Sequence, residues 1–266
     1  MNNFGFHKPT SIKDAVALRK AHPDAKFLAG GQSLLPVIKL DLAAPSDLIS
    51  LAGLGELRAI RRDGNKLVIG ALVTHDEVHH SADVATTLAA LSTLASGIGD
   101  QQVRNRGTLG GSVAHADPAA DYPAALLGLG ATIVTDRRSI AADDYFTGFF
   151  ETALAPDEIV TAVQFPIAKR AGYVKFANRA SRYAVVGVFV AETDAGIRVA
   201  VTGAGAKVFR VPEMERALAN NFAAASVTGI KIDPATLTGD PEASAEYRAH
   251  LVPVIAGRAV MVAVGA

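Results

Sequence analysis

The sequence predicts a mixed α+β protein of two domains, and three observations carry that prediction. Strand-like and helix-like segments follow one another without a regular β-α-β-α alternation, which argues against a doubly wound parallel sheet. Half of the 266 residues are hydrophobic and a fifth are charged, enough to build sizeable cores at about 150 residues per domain. The short polar stretch "IAKRAG" marks a boundary, giving domains 1–168 and 169–266, the first divided again near residue 55.

The elements follow in order. In "SIKDAVALRKAH", Ile12, Ala15 and Val16 stand at helical spacing behind Ser11, an N-cap type, and Pro23 ends the helix. "AKFLAG" reads as a short buried strand and "DLISL" as a second; "LRAIRRDGNKLVIGA" reads as a hairpin about Asp63-Gly64. Residues 83–98 carry Ala and Leu at helical spacing and predict one helix capped by Asp83. "ATIVTD" is strand-like. Beyond the boundary, "YVKFANRASRYAVVGVFVAET" and "GIRVAVTGAGAKVFRV" read as strands, and "PEMERALANNF" and "PEASAEYRAHLVPVIAGRAVMVAV" as helices.

Composition removes several function classes. Twenty-six basic and 26 acidic residues give a net charge of zero, so no nucleic acid is expected as partner. With no cysteine, the chain itself forms no disulfide, iron–sulfur cluster or thiolate zinc site, and any metal-centre chemistry comes from another chain. The N-terminus has no signal-peptide pattern and no apolar window reaches 18 residues, so a cytoplasmic protein with no integral membrane segment is expected. His75, His79 and His80 in "VTHDEVHH" have no second ligand cluster and read as the start of a solvated helix.

Two glycine loops stand out. In "KFLAGGQSLLPVIKL", Gly30-Gly31 stands between two apolar runs; it serves either a tight turn or a backbone cradle for phosphate. "RGTLGGSVAHADPAAD" repeats the pair at Gly110-Gly111. Neither fits a Rossmann G-x-G-x-x-G or a P-loop. Two loops of this kind would hold two phosphates from two sides, as a dinucleotide pyrophosphate requires.

Over nearly its whole length the chain resembles the FAD-binding medium subunit of molybdenum hydroxylases, the family of carbon monoxide dehydrogenase and xanthine dehydrogenase. The resemblance rests on "LAGGQSLLPVIKLDLAAPSDLISL", "GDQQVRNRGTLGGSVAHADPAADYPAALLGLGATIV" and "DPEASAEYRAHLVPVIAGRAV". It implies a two-part FAD-binding domain of the PCMH type, followed by a smaller α+β domain with an antiparallel sheet. It also implies FAD as cofactor and two partners, a large subunit with a molybdenum cofactor and a small subunit with 2Fe-2S clusters, assembled as a dimer of heterotrimers. The chain would be an oxidoreductase subunit that passes electrons to oxygen, quinone or NAD and is not self-sufficient for hydroxylation.

By the same resemblance, Ala29, Gly30, Gly31, Gln32, Ser33 and Leu34 form one pyrophosphate segment, and Thr108, Gly110, Gly111 and Ser112 belong to the other. Asp121 matches an acidic position that bonds the cofactor's polar chain, Lys175 a cofactor-contacting lysine, and Tyr183 an aromatic beside the isoalloxazine. Asp117 and His115, inside the second motif, read equally as loop residues. Two positions depart from the family pattern: Asp41 stands where arginine is usual, and Arg182 where aspartate is usual. The competing reading is a flavin-free ligand-binding or scaffold protein that keeps the fold.

Overall fold

The computed structural model describes residues 3–265. The N-terminal section builds a three-stranded parallel sheet from Gly5–His7 (β1), Lys26–Leu28 (β2) and Asp47–Ser50 (β3), in the order β1-β3-β2. Helix α1 (Ile12–Ala21) crosses from β1 to β2, its Ser11 side chain accepting from the Asp14 amide, and Leu34–Lys39 (α2) follows the first glycine loop. Because β2 is an edge strand facing a cavity, Phe27 and Leu28 are only half-buried, where a buried strand was expected.

The second section centres on a five-stranded antiparallel sheet. Its strands are Ile60–Asp63 (β4), Lys66–Gly70 (β5), Thr132–Thr135 (β6), Ser139–Ala141 (β7) and, after the small hairpin Phe146–Gly148 (β8) and Glu151–Thr152 (β9), Val160–Pro166 (β10). The order is β4-β5-β10-β6-β7. The predicted hairpin forms one residue later: Asp63 pairs with Lys66 at the end of β4 and the turn is Gly64-Asn65, with Gly64 at φ +57°. Against the sheet lie His75–His80 (α3), Ala82–Thr87 (α4), Ala89–Ser96 (α5), Gln101–Arg104 (α6), Leu109–His115 (α7), the wholly buried Tyr122–Leu129 (α8) and Ala142–Tyr145 (α9). The single helix expected over 83–98 is two: Leu88 leaves helical geometry at φ −142° and puts its side chain in the core. The cap is Ser81, whose hydroxyl accepts from the Val84 amide, and not Asp83.

The C-terminal section is a four-stranded antiparallel sheet of Arg170–Ala177 (β11), Ala184–Thr193 (β12), Gly196–Thr202 (β13) and Phe209–Arg210 (β14), in that order. Pro212–Asn220 (α10), Ala225–Thr228 (α11) and the long Ala245–Ala263 (α12) cover one face, enclosing Val188, Val190, Val199, Val201, Val252 and Ile255. The other face of the sheet joins the core of the second section. Tyr173, Phe189, Ala191, Ala200 and Val208 belong to the same buried cluster as α8 and β10. Among the described residues no helix is long and apolar enough to cross a membrane.

Candidate functional site

A cavity of about 580 Å³ opens where the three sections meet, within the usual range for small-molecule sites. The first glycine loop, residues 29–34, lines one side and the second loop, through Thr108, Gly110, Gly111 and Ser112, lines another; Asp121 and Tyr183 also face it. Every site residue predicted from the sequence therefore lies on this one cavity except Lys175, which reaches it through Asp121.

The loops meet because glycine permits close approach. A Cβ on Gly30 would stand 2.0 Å from the Arg106 carbonyl oxygen, so Gly30 brings the loops together. Gly31 turns at φ +76°, a left-handed conformation that costs other residues roughly 1–2 kcal/mol. Among the described residues, none accepts a hydrogen bond from the N–H groups of Gly30, Gly31, Gln32 or Ser33. Successive open amides around a left-handed residue form an anion cradle.

The second loop differs. Its amides are already engaged: Leu109 donates to the Val73 carbonyl, Gly110 to Ala71, and Gly111 to the Thr108 hydroxyl that caps α7. It offers side-chain hydroxyls, those of Thr108 and Ser112, more than backbone N–H groups.

Asp121 is 4 % exposed and accepts from the Tyr173 hydroxyl and, at 3.0 Å, from Lys175 Nζ. Burial pushes its carboxyl above the ordinary carboxylate value, while the Lys175 charge and the Tyr173 hydrogen bond pull it back. Lys175 also donates to the carbonyls of Gly97 (2.9 Å) and Arg182 (2.8 Å). Its ammonium thus ties α5, the start of α8 and the β11–β12 turn together behind the cavity wall. Tyr183, from the C-terminal section, and Ser33, from the first loop, line the same cavity. Burial is the main cause that raises the Tyr183 phenol above its usual value. Arg182, the neighbouring departure, adopts φ +63°. Asp117 accepts from the Ala119 amide as a turn residue, and the His115 ring rests 5.0 Å from that of Phe150; both line the cavity.

The structure adds residues that the sequence did not place in the site. The expectation of a solvated histidine cluster fails for His75, which is 5 % exposed, lines the cavity and lies 5.4 Å from the Tyr122 ring. Its Nδ1 has no hydrogen-bond partner, and burial, aided by the Arg104 charge, pulls its imidazole down to about 4. Only His80 of the three is exposed. The Thr74–Glu77 capping box was the legible signal for the start of α3, but inward projection of its first residue is a tertiary outcome. Glu158, also on the cavity, is committed to Arg138, which with other hydrogen bonds holds its carboxyl down to about 2.

The fold and cavity define a cofactor-binding protein. The FAD-binding domain in molybdopterin dehydrogenase matches residues 2–168, and the chain belongs to that family, an FAD-binding member of a group of oxidoreductases. It is 38 % identical to the nicotine 6-hydroxylase medium subunit of Paenarthrobacter nicotinovorans, over 96 % of this chain and 95 % of that one. It is 37 % identical to the carbon monoxide dehydrogenase medium chain of Hydrogenophaga pseudoflava, over 78 % and 77 %. The structure of carbon monoxide dehydrogenase from H. pseudoflava lacking the Mo-pyranopterin moiety superposes with a TM-score of 0.90 at 33 % identity, covering 99 % of this chain and 98 % of that one. The residues fit FAD: an anion cradle of open amides sits at one side of a cavity whose remaining wall is largely apolar, with Leu28, Val37, Leu72, Ile98 and Val103.

Proposed function

We propose that this chain is the FAD-binding electron-transfer subunit of a three-subunit molybdenum hydroxylase or dehydrogenase. A large partner would carry the molybdenum cofactor and act on substrate, and a small partner would deliver electrons from 2Fe-2S clusters. This chain would pass them to an external acceptor. The medium-subunit relatives support that division of labour, as does a sequence with no cysteine to ligate a cluster. A dimer of such heterotrimers is the assembly expected from the resemblance.

The observation that carries the reading is the Gly30–Ser33 cradle opening on the shared cavity. Its N–H groups would take the pyrophosphate, with the hydroxyls of Ser33, Thr108 and Ser112 as further donors. Asp121 would accept from hydroxyls of the cofactor's polar chain, held in place by Tyr173 and Lys175, so Lys175 acts as a positioning residue. Tyr183 would flank the ring. Bound FAD supplies the redox chemistry, and the protein supplies binding, orientation and electrostatics.

Flavin content tests this. Purified chain should be yellow, and Gly31→Val should lose flavin at least tenfold while keeping its circular dichroism. The added Cβ meets only the movable Leu35 and Leu28 side chains, yet the left-handed turn is disfavoured. Gly30→Val should also unfold the loop junction, since its neighbour is backbone. A colourless wild-type chain within an active complex, or full flavin in Gly31→Val, would overturn the assignment and favour the flavin-free scaffold.

A further inference from the structure

We propose that His7, His22 and Asp47 form a binding site for a divalent transition-metal ion of the zinc class, separate from the flavin cavity. The three come from different elements: His7 ends β1, His22 caps the C-terminus of α1, and Asp47 begins β3. Their ligand atoms all lie within 4.8 Å of one another. His7 Nε2 is 2.7 Å from Asp47 Oδ1 and His22 Nδ1 is 3.2 Å from Asp47 Oδ2, so one carboxylate already stands between two imidazoles.

Two imidazole nitrogens and a carboxylate oxygen suit zinc, nickel or cobalt, ions that favour nitrogen together with oxygen. Calcium and magnesium favour all-oxygen sites and are not expected. The carboxylate is held firmly. A Cβ on Gly5 would stand 2.0 Å from Asp47 Oδ1, so the missing side chain of Gly5 leaves the room Asp47 occupies. The imidazoles are 27 % and 39 % exposed, leaving an approach for the ion and for a water to complete four-coordination. An ion there would replace the two contacts to Asp47 with bonds to itself and pin the C-terminus of α1 to the sheet. None of the three residues lines the flavin cavity.

The test uses the full chain, stripped with a chelator, and the metal salt alone. Zinc titration followed by calorimetry is expected to show one ion per chain. Affinity should fall at least tenfold in His22→Ala and in Asp47→Asn, with flavin content unchanged. Cobalt(II) should give a visible absorption band that His22→Ala abolishes. His22 is a partly exposed helix-cap residue, so its variant keeps the fold even if the Asp47 variant does not. Absence of saturable zinc binding, or wild-type affinity in His22→Ala, would overturn the site and leave the cluster a hydrogen-bonded His–Asp–His bridge.

Discussion

At the scale of single residues, the site separates groups that would meet a ligand from groups that hold those groups. Lys175 and Asp121 both read from the sequence as cofactor contacts, and the structure joins them to each other within a network that includes Tyr173. His75 shows the opposite case, a residue read as solvated that is buried and neutral. In the unfolded chain His75 takes up a proton below 6.5, whereas in the fold it does so only below about 4. Its contribution to stability is therefore complete above 6.5 and is lost as pH falls toward 4. At about 1.4 kcal/mol per pH unit, the gap corresponds to roughly 3 kcal/mol. Urea unfolding of the flavin-free chain across this window should show that decline, and His75→Gln should flatten it. An equal decline in His75→Gln would assign the effect to other groups. The burial that sets this behaviour was not readable from "VTHDEVHH", because helix faces are chosen by what packs against them.

At the scale of elements, the β11–β12 turn closes the cavity. Asn178 Oδ1 accepts from the amides of Ala180 and Ser181, the Arg182 carbonyl accepts from Lys175, and Tyr183 lines the cavity together with Ser33. Arg182 pays the conformational cost of this turn at φ +63°, a region where Gly, Asn and Asp are easier. Arg182→Gly is expected to raise unfolding stability by up to about 1 kcal/mol in urea titration. A loss of stability would show that the arginine side chain makes a compensating contact. The structure thus gives a backbone reason for aspartate, the residue expected there from the family resemblance. Among the helices, capping chemistry was legible at Ser11, where the hydroxyl meets the N3 amide. The break at Leu88 was not, because the pull of the core on one leucine overrides a helical pattern in the local sequence.

At the scale of the whole molecule, the cavity exists because three sections converge, and the core crosses between the second and third. Tyr173 and Phe189 complete the cluster built on α8 and β10, and burial of each large side chain contributes about 1.5–3 kcal/mol. A fragment ending at residue 168 loses both, together with Lys175 and Tyr183. It is expected to melt without a cooperative transition by circular dichroism and to retain no flavin. A fragment that melts cooperatively and keeps flavin would show that the N-terminal sections suffice.

The sequence by itself determined the α+β class, several of the strands and helices, the two glycine loops and the absence of any thiolate metal centre in this chain, because these follow from local pattern and residue chemistry. Only the tertiary structure decided that the loops are unequal, one with open amides and one with its amides bonded to the segment that follows β5 and to its own cap. It also decided that Lys175 serves Asp121, that His75 lies inside, and that His7, His22 and Asp47 meet across 40 residues of chain. Each of these depends on which backbone carbonyls and side chains approach from distant segments, and distance along the chain carries no record of that approach.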